Sequence, residues 1–149
     1  MNRFNRNVQL ARGIATFGLV PFIGCAVLAW FDGYREWAGM ALATYAAIVT
    51  TFNGAVHWGR ALQGFSDSNQ LPTLLYSVIP SLIAWFALML PLEFSLPMLT
   101  AGLMFTWGTE QMVFIDTMPE WYRIMRHGLT TVAVTAMLVG WIAIMLPMF

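Results

Sequence analysis

The sequence predicts an all-α integral membrane bundle of five transmembrane helices. Of its 149 residues, 59% are hydrophobic and only 9% are charged, and the mean hydropathy is +0.68. A soluble domain carries about 25% charged residues because its surface faces water. In addition, five apolar stretches each approach the roughly 20 residues that cross the hydrocarbon core as a helix. We therefore expect lipid to cover much of the exterior.

The five predicted spans form one transmembrane domain that covers residues 1–149. They lie at residues 11–31, 37–62, 71–90, 96–115 and 122–146. Connections this short join antiparallel neighbours. Pro21 and Pro80 fall inside the first and third spans, where each frees a backbone carbonyl that needs another partner in lipid. We interpret both prolines as structural kinks, with a hinge or a ligand-facing carbonyl as the alternative.

The placement of the arginines predicts a cytoplasmic N-terminus and a C-terminus outside. With this orientation, six of the seven basic residues, all arginines, lie at cytoplasmic helix ends and only Arg35 lies outside. Such a bias follows the positive-inside rule. Trp121 and Tyr122 fall at a helix end, where amphipathic rings anchor in the headgroup layer. The expected location is the cell inner membrane, crossed by multiple passes.

Small residues on the second span predict close neighbours on two sides. Small side chains allow membrane helices to approach each other closely. One stripe is formed by Ala47, Thr51, Ala55 and Gly59, and the other by Gly39, Ala43, Ala46, Thr50 and Gly54.

Polar residues gather at the cytoplasmic ends of the second, fourth and fifth spans. Residues three and four apart share a helix face, so each span directs its group to one side. A lone ionised carboxylate inside the membrane costs several kcal/mol, so we expect Glu110 to pair with Arg60 or Arg126. The candidate ligand-binding residues are Asn53, His57, Arg60, Glu110, Arg123 and Arg126.

Two interpretations of this group stay open. In the first, it is a hydrogen-bond and salt-bridge network that fixes helix register. In the second, it is a cytoplasm-facing site for a quinone, a lipid headgroup, an anion or a proton. Haem between His57 and His127 is disfavoured because two histidines on different helices are a common coincidence, and we expect no cofactor. With one cysteine and two histidines, a zinc site is not expected either.

Several segments together resemble the domain-of-unknown-function 3429 (transmembrane protein 69-like) family. They are residues 13–22, 53–59, 76–85 and 119–130. The positions that match the family pattern include Pro21, His57, Trp58, Tyr76, Pro80, Trp121, Tyr122 and Arg126. Glu110 stands where an Asp is expected in the family, and His127 is not a motif position. The resemblance implies a small multi-helix protein of bacterial inner membranes and mitochondria, and it implies no particular activity.

The sequence favours an accessory, assembly or stabilising component of a larger membrane complex, such as a respiratory complex. The alternative is a small membrane carrier or binding protein that uses the cytoplasm-facing site. Catalytic motifs are not found, so an enzyme is the less favoured reading. The expected partners are the lipid bilayer and other membrane subunits or a second copy of the chain. Nucleic acid is not expected, because the net charge is zero and no basic face exists.

Overall fold

The computed structural model describes residues 3–64, 70–114, 116 and 118–146, and these are helical apart from short connections. The helices are α1 Arg3–Phe17, α2 Val20–Leu28, α3 Arg35–Gln63, α4 Leu71–Leu88, α5 Leu92–Val113 and α6 Glu120–Met145, with a short 3-10 turn at Asp32–Tyr34. Because α1 and α2 together make one span, the result is the five-membered all-α bundle that the sequence predicts. The predicted outer C-terminus, residues 147–149, lies outside the described residues.

Four segments are long and apolar enough to cross a membrane. They are Arg3–Leu28, Asp32–Gln63, Leu71–Leu88 and Glu120–Met145. The remaining helix, α5, carries four buried polar residues, Ser95, Thr100, Thr106 and Glu110. These residues lie on the side of α5 that packs inside the bundle, while Phe94, Met104 and Phe105 are exposed.

The first span is interrupted, where the sequence predicts one helix with a kink at Pro21. Here α1 ends at Phe17 and α2 begins at Val20, which puts Pro21 in the first turn of a new helix. A missing N–H is harmless at that position. The Gly18 carbonyl at the break accepts a hydrogen bond of 2.7 Å from the Tyr45 hydroxyl. Helix α3 thus supplies a hydrogen-bond donor to a backbone carbonyl at the break.

The ends of α1 and α5 also differ from the predicted spans. Helix α1 begins at Arg3 and not near residue 11, because residues 3–12 contain no glycine or proline to stop it. Helix α5 begins at Leu92 and not at residue 96, since the Phe94 and Ser95 amides both bond to the Pro91 carbonyl. The predicted end of this span, residue 115, lies outside the described part of the chain.

Helix α3 is central and contacts α2, α4, α5 and α6. Its second small-residue stripe, from Gly39 to Gly54, is buried as predicted. Of the other stripe only Ala47 is buried, while Thr51, Ala55 and Gly59 are exposed. The prediction of close neighbours on both sides is therefore wrong for the C-terminal half of α3, where Thr51, Ala55 and Gly59 lie. The largest fully buried apolar side chains of the core are Phe22, Leu42, Leu96, Leu99 and Met137.

Helix α3 approaches the backbone of α4 closely at Gly54. A methyl group on Gly54 would collide with the Ser77 carbonyl oxygen and lie 3.2 Å from the Pro80 Cγ atom. Pro80 is buried inside α4, so its ring is part of the surface that α3 packs against. A larger residue than glycine at position 54 would therefore collide with the backbone of α4. Backbone cannot move aside as a flexible side chain does.

We expect Gly54→Ala to lower the free energy of unfolding by about 1–3 kcal/mol, the usual cost of overpacking a tight interface. The matched control is Gly59→Ala on the same helix, because nothing lies within 4 Å of a Cβ atom there. Thermal unfolding of both variants in detergent measures the difference. Equal melting temperatures for the two variants would show that α3 and α4 do not meet this closely.

Candidate functional site

Glu110 of α5 is the centre of the polar cluster. Its side chain is only 1% exposed, and its Oε2 atom accepts a hydrogen bond of 2.7 Å from the Arg126 Nε atom of α6. The Arg126 Nη2 atom also donates to Oε1, at 3.4 Å. Glu110 therefore pairs with Arg126, one of the two partners that the sequence leaves open.

His57 of α3 completes the cluster. Its Nε2 atom lies 3.3 Å from the Glu110 Oε1 atom, and the residue is fully buried. Its ring packs edge-on to Tyr76 at a centroid distance of 5.1 Å and beside Phe114 at 4.4 Å. The Nδ1 atom is buried and has no hydrogen-bond partner among the described residues. A neutral His57 that donates its Nε2 proton to Glu110 keeps an unused lone pair on its Nδ1 atom.

The cluster ties together three helices, α3, α5 and α6. A buried ion pair contributes little net stability compared with an apolar packing of the same shape. Removal of one partner is costly, because the other charge then stays buried and uncompensated. The cluster therefore places one buried polar contact on each of the faces where α5 meets α3 and α6.

The other candidate residues lie around this cluster at different distances from it. The Asn53 Nδ2 atom makes a long contact of 3.5 Å with the Thr106 hydroxyl, and the Arg60 Cζ atom lies 5.4 Å from the Phe114 ring centroid. Arg123 is half-buried and is not among the described residues that bond to Glu110. The structure thus brings His57, Glu110 and Arg126 into direct contact.

The residues of the family pattern take varied positions. The Tyr76 hydroxyl donates to the Thr106 carbonyl at 3.4 Å, so this residue touches both α5 and His57. Trp121 and Tyr122 pack edge-to-face with their centroids 5.9 Å apart. Trp58 is exposed.

The two histidines have different surroundings. His57 is buried against Glu110, whereas His127 is exposed and its Nδ1 atom accepts a hydrogen bond of 3.0 Å from the Trp107 indole. Each ring therefore already has a protein partner on one nitrogen. That no haem or other cofactor binds stays a prediction.

A cavity of about 300 Å³ lies beside the ion pair, between α1, α2, α3, α5 and α6. This volume is at the lower end of the range for small-molecule sites. Most of its wall is apolar or aromatic. The polar side chains on the wall are Tyr45, Asn53, Tyr122, Arg126 and Thr130. Arg126 therefore belongs both to the buried cluster and to the cavity wall.

Sequence reasoning missed three aromatic residues of this region. Phe114 lies four residues after Glu110, so helical spacing indicated that it shares the face of the cluster. Tyr45 continues the four-residue series of Val49, Asn53 and His57 toward the N-terminus of α3. No sequence signal marked Phe22, because the break at Gly18 sets the direction of α2.

Comparison with known proteins gives one family and one relative. The family described as protein of unknown function (DUF3429) matches residues 8–142. Transmembrane protein 69 of Xenopus tropicalis is 30% identical over 124 residues, which cover 78% of this chain and 47% of that protein. The chain thus spans about half the length of this relative. No solved structure matches the chain.

We expect Arg126→Met to lower the free energy of unfolding by about 3–5 kcal/mol, since Glu110 keeps its buried charge without a cation. Arg123→Met is the matched control on the same helix, because Arg123 is half-buried and makes no described bond to Glu110. Thermal unfolding in detergent compares the two variants. Similar losses for both would show that the Glu110–Arg126 contact is not what stabilises α5 against α6.

Proposed function

Because the chain belongs to the domain-of-unknown-function 3429 family and is a helical membrane protein, we propose that it is a small intramembrane binding protein. Its cavity, beside the Glu110–Arg126 pair, takes a lipid-soluble molecule from the bilayer. The observation that carries the proposal is that Arg126 takes part in the buried ion pair and also lines the cavity.

A network that only fixed helix register would need no space beside it. The cavity opens to the surface of the bundle, since the exposed side chains of Ile14 and Phe52 lie on its wall, so a molecule from the bilayer can reach it. Here the open volume adjoins the one buried cluster of charges among the described residues. The Arg126 Nε and Nη2 atoms bond to Glu110, while Nη1 has no hydrogen bond to a described residue. That nitrogen is a donor available to a bound molecule.

The proposed location is the cell inner membrane, with the cavity in its cytoplasmic half. Arg35 and the end of α6 lie at the same end of the bundle, because the Arg35 Nη1 atom donates to the Leu146 carbonyl at 3.2 Å. Arg12 and Trp121 lie together at the opposite end, where they line one surface depression. The positive-inside rule assigns this arginine-rich end to the cytoplasm.

A role as an accessory component of a larger complex is the second candidate, and helix α1 favours it. None of its residues is buried, although it carries large apolar side chains such as Phe4 and Phe17. Within the chain it packs mainly against α6. A helix with so few intramolecular contacts is suited to packing against a helix of another membrane protein.

A photo-crosslinking amino acid in place of Phe17 tests the accessory role. We expect a discrete protein adduct from position 17 in native membranes. Ile48 on α3 is the control position, because it is also exposed but belongs to a helix that the chain itself packs. Lipid adducts alone from both positions would contradict a partner at α1.

The binding function is tested by filling the cavity. Ala15 lines the cavity, whereas Ala11, one turn earlier on α1, does not. We expect the wild-type protein and Ala11→Phe to co-purify with a lipid-soluble molecule in near-stoichiometric amount, and Ala15→Phe to lose it. Mass spectrometry of solvent extracts measures the amount per chain. Equal extracts from all three proteins would refute the proposed function.

A further inference from the structure

We infer that the molecule held in the cavity is an uncharged ring that bears carbonyl oxygens, of the quinone class. The inference rests on the proposed function and adds the chemistry of the ligand. Three properties of the cavity support it: its charge balance, its hydrogen-bond donors and its aromatic walls.

The charge balance of the site opposes an anionic ligand. Arg126 is the only cationic side chain among the described residues that line the cavity, and its charge is already compensated by Glu110. An anion that entered would lose its hydration and gain no net opposite charge. An uncharged ligand loses little hydration when it enters the cavity.

The polar groups on the wall match carbonyl acceptors. Arg126 offers its Nη1 hydrogens, and Tyr122 and Thr130 add two hydroxyls. Asn53 adds an amide, whose contact with Thr106 is long at 3.5 Å and whose second hydrogen has no bond to a described residue. Carbonyl oxygens accept from all these donors and require no charge.

The aromatic residues favour a planar ring over a flexible ester headgroup. Phe22 and Tyr45 pack edge-to-face at 5.0 Å and both line the cavity, together with Phe52 and Tyr122. Aromatic walls gain additional energy from offset or edge contacts with another ring. A diacylglycerol headgroup offers similar carbonyls but no ring.

The test is equilibrium binding of three probes to this chain, residues 1–149, in nanodiscs. The probes are a decyl-substituted benzoquinone, decanoate and dioctanoylglycerol. We expect saturable quinone binding of one molecule per chain, and at least ~10-fold weaker binding of the other two, equivalent to about 1.4 kcal/mol.

Two neighbouring threonines provide a matched pair for the donor argument. Thr130 lines the cavity, whereas Thr131 is exposed and donates to the His127 carbonyl at 2.9 Å. We expect Thr130→Val to weaken quinone binding about fivefold, the value of one hydrogen bond. Thr131→Val leaves it unchanged. Equal affinities of the two variants would overturn the placement of the headgroup.

Glu110→Gln tests the charge argument, because it keeps the shape of the side chain and leaves Arg126 with uncompensated charge. We expect the ratio of decanoate to quinone affinity to rise at least ~10-fold in this variant.

A wild-type protein that binds decanoate tightest would overturn the charge argument, and one that binds dioctanoylglycerol tightest would overturn the ring argument. Both results leave the proposed function standing. If no probe binds saturably, the quinone inference is refuted, and the extracts of the Ala15→Phe and Ala11→Phe proteins decide the proposed function separately.

Discussion

The buried carboxylate of Glu110 is the constraint on which the rest of this structure depends. A charge in the middle of a helical bundle is tolerated only with a compensating partner and further hydrogen bonds. Arg126 supplies the opposite charge from α6, and His57 supplies a hydrogen bond from α3. These two contacts join α5 to α3 and to α6 at the same buried carboxylate.

The arrangement of the other helices follows from enclosing this polar group. Helix α5 buries Thr100, Thr106 and Glu110 on the side where it contacts α3, α4 and α6. Gly54 lets α4 approach α3, and this brings the Tyr76 ring against His57. The interrupted first span closes the other side, where Gly18 and Tyr45 are joined by a hydrogen bond. The space left between these elements is the cavity beside Arg126.

Much of the fold and part of the site could be predicted from the sequence. Low charge and apolar stretches of membrane-spanning length predict the bundle. A helix is stable in lipid because its backbone N–H and C=O groups bond to each other within the segment. The depth of Glu110 predicts that it pairs, since an ionised carboxylate in that position needs a cation. The choice between Arg60 and Arg126 could not be predicted, because both lie on helices at the same level.

Other features depend on three-dimensional packing that spacing does not encode. The small side chains of Thr51, Ala55 and Gly59 would permit close packing of another helix, but the structure leaves that face of α3 exposed. The break at Gly18 could not be separated from a kink at Pro21, since both interpretations free a carbonyl within the same few residues. The cavity could not be predicted from the sequence because it is formed by the space between helices, and its lining residues, such as Ile14 and Leu129, come from distant parts of the chain.

Glu110 and Arg126 form one buried pair. Exchange of the two residues, Glu110→Arg with Arg126→Glu, tests this pairing by thermal unfolding, beside each single exchange. We expect each single exchange to be strongly destabilising, because like charges then face each other in the bundle, and the double exchange to recover most of the loss. Additive losses, with the double exchange as unstable as the sum of the singles, would contradict the pairing.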